Sequence, residues 1–210
     1  MRKKIKTQVS HYSAFSIYYK KDILEGCVMG RMIHPLTENC DFAGVKPILV
    51  DLPYPPLQVK EKNQAYANLL SIDYCGAISE MSAIAQYIND EGRLFHKQCP
   101  AAKTILGIAM AEMMHLQKLG ELIILLGGTL DFVAKHHDGK RKMWTPGYLP
   151  LSENAEKMML AGIEAERATI DQYKMHMRMI HDKDVNAVLA RIIKDEEYHI
   201  MILQALRQEL

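Results

Sequence analysis

Apolar positions over residues 101–126 and 184–210 recur in alternating steps of three and four, the period of a helix that buries one stripe. The first stripe reads Ile105, Ile108, Glu112, His115, Leu119, Leu122, Leu126, and the second Leu189, Ile192, Glu196, His199, Leu203, Leu206, Leu210. The same rhythm runs through Leu70, Asp73, Ala77, Glu80, Ile84, Tyr87 and through Met159, Ile163, Glu166, Ile170, Tyr173, Met177, Ile180. Four helices are therefore predicted, over about 61–90, 101–126, 152–180 and 184–210, with Gly76 tolerated inside the first. Gly92 and Pro100 bracket the first turn, Gly127-Gly128 stops the second helix, and Ser152 and Asp184 are the expected N-caps of the last two. Only His181-Asp182-Lys183 joins the last two, which makes them antiparallel neighbours, whereas residues 128–151 form a long crossover. The expected fold is all-α: a four-helix bundle over residues 60–210 with a long crossover between its second and third helices, preceded by an N-terminal arm over residues 1–59. Within the arm, residues 11–33 suit one helix, and the proline-rich stretch 46–56 must be extended.

Polar residues inside these stripes change the picture. The second and fourth helices each carry Glu-x-x-His, as Glu112-Met113-Met114-His115 and Glu196-Glu197-Tyr198-His199, and the spacing appears nowhere else. Positions i and i+3 share a helix face, so each pair aims a carboxylate and an imidazole at one point. Burying an unpaired carboxylate costs several kcal/mol even after relaxation, so a cation is needed to offset it. An internal repeat adds two more carboxylates: Glu80 and Glu166 begin segments that share Glu, Ile, Gln and Tyr in register, ending at Tyr87 and Tyr173. Glu166 continues the apolar stripe, whereas Glu164 lies with Arg167, Asp171 and Lys174 on a charged face. Two hairpins of one design thus bring Glu80, Glu112, Glu166, Glu196, His115 and His199 to one centre. Such a hard oxygen and nitrogen set suits two iron or two manganese ions.

Composition adds limits. A formal net charge of +1 argues against a nucleic-acid partner, and no apolar run is long enough for a membrane span or a secretory leader, so a soluble, cytoplasmic protein is expected. Cys27, Cys40, Cys75 and Cys99 form no Cys-x-x-Cys pair, which excludes a rubredoxin-type site and reads as four free thiols. The crossover, with a basic run and the single Trp144, is open to three readings beyond plain solvation: a lid, an entry path or a dimer contact.

On these residues the chain resembles the ferritin-like di-iron and di-manganese carboxylate proteins, which take one Glu from each of two helices and Glu-x-x-His from each of the others. Glu80-x-x-Ala83-Ile84-x-Gln86-Tyr87 is similar to the first helix of bacterioferritins, and Asp195-Glu196-Glu197-x-His199 to the last helix of bacterioferritins and rubrerythrins. The resemblance implies that Glu112 and Glu196 bridge the metals, that Glu80 and Glu166 are terminal ligands, and that His115 and His199 bind one metal each. Glu112, Glu196, Tyr87 and Tyr173 are the residues it places in the chemistry. Manganese catalases use a similar bundle without an electron-transfer module, so the implied activity is removal of hydrogen peroxide, as catalase or peroxidase. The other activities it allows are a ferroxidase or iron-binding role and an O2-activating hydroxylase. A homo-oligomer, a dimer or larger, and for an iron enzyme an electron-donor protein, are the implied partners. Thr169 stands where rubrerythrins carry an extra glutamate, and the sequence stops with the fourth helix, which weighs against a storage cage.

Overall fold

The computed structural model describes residues 40–136 and 138–210; the helix expected over 11–33, with Cys27, lies outside them. In chain order the elements are α1 (Gln64–Cys75), α2 (Glu80–Leu94), α3 (Cys99–Leu125), strands β1 (Val133–Lys135) and β2 (Arg141–Met143), a 3₁₀ turn (Pro146–Tyr148), α4 (Ala155–Met179) and α5 (Lys183–Glu209). The fold is a ferritin-like helical bundle, with α2 packed on α3 and α4 on α5.

The first predicted helix is two helices. Gly76 donates its N–H to the Ile72 carbonyl and ends α1 in an extended conformation. A Cβ there would lie 2.6 Å from the Ile72 oxygen, so the break needs glycine. Ser79 then caps α2 by accepting from Ser82 N at 3.2 Å, which makes Glu80 the first helical residue. The other caps also differ from expectation. Asn154, not Ser152, accepts from Lys157 N at 2.9 Å to start α4. Asp182, not Asp184, starts α5, its Oδ1 accepting from Asp184 N at 2.9 Å and Val185 N at 3.3 Å. The end of α3 follows the prediction: Gly127 (φ 86°) donates to Ile124 O and Gly128 to Ile123 O, both from a left-handed turn.

Apolar residues fall into two clusters along the bundle axis. One gathers Leu70, Leu119, Leu122, Ile170, Leu189 and Ile192; the other gathers Ile105, Ile108, Met159, Ile163, Leu203 and Leu206. On each long helix the Glu and His lie between the residues of the two clusters, so the bundle is two oily plugs with a polar layer between them.

The crossover contains an antiparallel hairpin, Val133 opposite Met143 and Lys135 opposite Arg141. It docks on α1 through Lys135 N to Ser71 Oγ (2.9 Å), and Trp144 Nε1 donates to Ser82 Oγ on α2 (3.0 Å). The extended segment before α1 lies against α3 and α5. Ile48 N donates to Gly107 O at 2.9 Å, and Arg191 donates to the carbonyls of Val50 and Leu52. A Cβ on Gly107 would stand 2.9 Å from the Ile48 side chain and 3.0 Å from Lys46 O, so this approach also depends on glycine. Cys40 and Cys99 form a disulfide, Cα–Cα 5.4 Å, which corrects the free-thiol reading. Among the described residues only Cys75 is a free thiol, buried against α1 and Asp131. No helix among the described residues is long and apolar enough to cross a membrane.

Candidate metal centre

All six singled-out residues meet in the polar layer, each no more than 2% exposed. Their donor atoms form two groups within 4.8 Å: Glu80, Glu112, His115 and Glu196, and Glu112, Glu166, Glu196 and His199. Glu112 and Glu196 belong to both. Glu112 turns Oε2 to His115 Nδ1 and Oε1 to His199 Nδ1, each at 3.0 Å. Glu196 does likewise, Oε1 at 3.3 Å from His115 Nδ1 and Oε2 at 3.0 Å from His199 Nδ1. Glu80 stands only by His115, at 3.5 Å, and Glu166 only by His199, at 3.7 Å. The i, i+3 spacing on α3 and α5 produces the shared pairs, and the repeated glutamates on α2 and α4 close the two ends. Glu164 is exposed, as its charged face requires.

Both imidazoles present Nδ1 inward, because their outer nitrogens are held. His115 Nε2 donates to Asp195 Oδ2 at 3.2 Å, and His199 Nε2 donates to Ile48 O at 2.8 Å. Asp195, fully buried, also accepts from Val50 N at 2.8 Å and Tyr54 OH at 2.5 Å, and pairs with Arg191 at 2.7 Å. The two repeat tyrosines reach across the hairpins: Tyr87 OH donates to Glu166, and Tyr173 OH to Glu80. Sequence reasoning missed Asp195 in this role, although it quoted Asp195 beside Glu196. It also missed Tyr54, Arg191 and the arm backbone, whose contacts span well over a hundred residues. A second buried pair, His176 Nδ1 to Asp73 Oδ2 at 2.8 Å, likewise escaped it.

The electrostatics are those of anions short of a counter-charge. Burial, then the charges of Glu112 and Glu196, push the Glu80 carboxyl well up, and the same causes raise Glu166 to about 8. Burial also acts to raise Glu112, but the charges of His115 and His199 outweigh it and hold that carboxyl well below the ordinary range. Burial acts to lower both imidazoles, but the charges of Glu196 and Glu112 lift His115, and the Glu112 charge with hydrogen bonds to Glu112, Glu166 and Glu196 lifts His199. Glu80 Oε2, Glu112 Oε1, both oxygens of Glu196 and His199 Nδ1 have no hydrogen-bond partner, and all face the same space. Native interiors leave few such atoms orphaned. Five at one point, in a hard oxygen and nitrogen set, fit a pair of divalent cations.

Similarities to known proteins agree with this geometry. A curated relative, a probable manganese catalase from Clostridium acetobutylicum, is 24% identical over 160 residues, covering 68% of this chain and 70% of its own. A manganese catalase structure from Anabaena aligns with TM-score 0.65 and 23% identity, covering 76% of this chain and 78% of that one. A bacterioferritin from Rhodobacter capsulatus aligns with TM-score 0.53 and 19% identity, over 70% and 86% of the two chains. The rubrerythrin family model matches residues 76–207, which takes in α2 to α5 and all six clustered residues, and the chain belongs to the rubrerythrin family.

Proposed function

We propose that this chain is an oxidoreductase that consumes hydrogen peroxide at a pair of manganese or iron ions. The observation that carries the reading is the sharing of Glu112 and Glu196 between two donor groups, each completed by one private glutamate and one histidine. Glu112 and Glu196 would bridge, Glu80 and His115 would complete one ion, and Glu166 and His199 the other. A bound pair of this kind supplies the electrons that peroxide accepts and returns and polarises its O–O bond.

The protein's own part is orientation and proton handling. Asp195 and the Ile48 carbonyl lock the imidazole tautomers, so that Nδ1 keeps its lone pair for a metal. Tyr87 and Tyr173 hold Glu166 and Glu80 by hydroxyl donation and restrain two carboxylates that would otherwise swing. Glu166, beside the Tyr87 hydroxyl and on the wall of the cavity, is a carboxyl placed to keep a proton inside the centre. The two plugs of Ile, Leu and Met exclude bulk water from above and below. The likeness to manganese catalases favours disproportionation without an outside reductant; an iron-loaded enzyme would work as a peroxidase with an electron-donor protein. The likeness to a bacterioferritin keeps a ferroxidase or iron-binding role as the second reading, in which storage would require a large hollow assembly, whereas a dimer or other small oligomer suits the first.

Metal analysis of the full chain purified from its native host, with oxygen evolution from hydrogen peroxide in the absence of reductant, tests the proposal. Two manganese per chain and steady oxygen release are expected of a catalase. Two iron and no turnover without a donor would move the reading to peroxidase or ferroxidase. No metal, and none taken up, would refute it.

A further inference from the structure

The two sides of the centre are not alike. On the α3 and α5 side the arm lies over the helices, with Ile48 and Val50 bonded to His199, Gly107 and Asp195, and this closes the approach. On the α2 and α4 side a cavity of about 250 Å³ opens between the helices, and its inner wall is Tyr87 and Glu166. Small residues make the room: Ala83 on α2, and Gly162 and Ala165 on α4. Tyr148 and Leu149 of the crossover stand at its rim.

Gln86 lines this cavity and is 5% exposed. Its Nε2 donates to both oxygens of Asp90, each at 2.9 Å, which fixes the amide orientation. Its Oε1 is then a buried acceptor with no partner. The matching glutamine of the second repeat, Gln172, is differently engaged: its Nε2 donates to Asp73 Oδ1 and Ile78 O. The Gln86 acceptor therefore awaits a donor that enters from the cavity.

Resting on the peroxide reading above, we infer that the cavity between α2 and α4 is the entry path to the metal centre, and that Gln86 is a positioning residue that holds incoming hydrogen peroxide through Oε1. Peroxide carries two O–H donors; dioxygen has none to offer this acceptor. The volume is about eight times the roughly 30 Å³ of a water molecule and lies below the roughly 300–1,000 Å³ of sites for drug-sized ligands. The unpartnered acceptor on the wall favours a small molecule that donates hydrogen bonds.

The test uses the full-length, metal-loaded chain with two variants and two probes. Gln86→Met keeps length and removes the acceptor. Loss of one buried hydrogen bond should raise KM for hydrogen peroxide about tenfold, with kcat changed less than twofold. Azide, followed by the absorbance of the metal centre, has no hydrogen to donate to Oε1 and should bind this variant as it binds the wild type. Ala165→Phe, at an exposed position on the cavity wall, should slow azide entry and lower kcat/KM for peroxide together. An unchanged KM in Gln86→Met would overturn the role of Gln86, and an unchanged azide rate in Ala165→Phe would overturn the path. A wild type that does not consume peroxide would refute the peroxide reading, and with it the role of Gln86; slowed azide entry in Ala165→Phe would still uphold the path.

Discussion

Replacing Asp195 by Asn should weaken one metal of the pair and spare the other. The carboxylate receives four groups: His115 Nε2, Tyr54 OH, Val50 N and Arg191. Burial acts to raise its pKa, but His115, Arg191, Tyr54 and Val50 together outweigh it and hold the carboxyl down to about 2, so it stays charged. Asn keeps the shape, but its Oδ1 satisfies about two donors while its Nδ2 faces the rest as a further donor. Two lost charge-assisted bonds, at roughly 1.5–3 kcal/mol each, put the destabilisation at about 3–6 kcal/mol. At about 2–4 °C per kcal/mol for a chain of this size, the metal-free protein should melt roughly 10 °C lower. The His115 tautomer is released at the same time, which costs about 10- to 100-fold in metal affinity. His199 leans on Ile48 O instead, so its metal should hold. Chelator competition on the refolded variant, resolved into two binding steps, is the assay. Equal weakening of both steps, or of neither, would refute the claim that each imidazole is oriented by its own separate partner.

The complementary change is Gly107→Ala, whose Cβ would collide with Ile48 and Lys46 O at 2.9–3.0 Å. It should push Ile48 off α3, cost about 1–3 kcal/mol by overpacking and weaken the His199 metal step more than the His115 step; faster proteolysis within residues 44–58 is the structural readout. Gly162→Ala would press on the Tyr87 hydroxyl at 3.3 Å and on Leu203 at 3.1 Å, displacing the Tyr87 bond to Glu166. Reduced kcat with metal content intact is expected, and unchanged kinetics would show that this bond is dispensable. Metal affinity should also fall as pH drops. Glu166, raised to about 8 by burial and the neighbouring carboxylates, and Glu80, raised for the same reasons, hold protons below that range in the metal-free protein. A metal must displace them, so calorimetry in two buffers should record proton release on loading that shrinks above pH 8. Equal affinity at pH 6 and 8.5 would contradict this.

The centre was legible because buried charge has few explanations. Glu112, His115, Glu196 and His199 interrupt stripes that are otherwise Ile and Leu, and the stripes themselves fix which way those four point. Glu166 could be chosen over Glu164 for the same reason. What escaped was everything set by distant contacts or by local competition. The break at Gly76 depends on whether one glycine and Ser79 outweigh a continuing apolar rhythm, which periodicity does not weigh. The Cys40–Cys99 disulfide spans 59 residues, and nothing in Cys spacing marks that pair. Asp195 stood in the sequence only as the residue before Glu196, and its partners Tyr54 and Val50 lie 141 and 145 positions earlier, in a stretch whose only signal was proline.

The repeat explains why six ligand candidates converge; the arm explains why the two halves are unequal. α2 and α3 match α4 and α5 in their glutamates, histidines and crossed tyrosine bonds, and a bare duplication would leave two like approaches to the centre. Residues 46–54 remove that equality. They cover the α3 and α5 side, give one histidine a backbone carbonyl and help the other to a carboxylate. A neutral carbonyl and an anionic carboxylate confer different basicity on the imidazoles they hold, so the two ions of the pair would differ in affinity and in potential. The side left open is the one where Tyr87 and Glu166 face the cavity, so an ion held by His199 would lie nearer to it than one held by His115. An extension outside the duplicated design thus makes a symmetric cluster of donor groups unequal, and a metal pair held there would have an inner and an outer member.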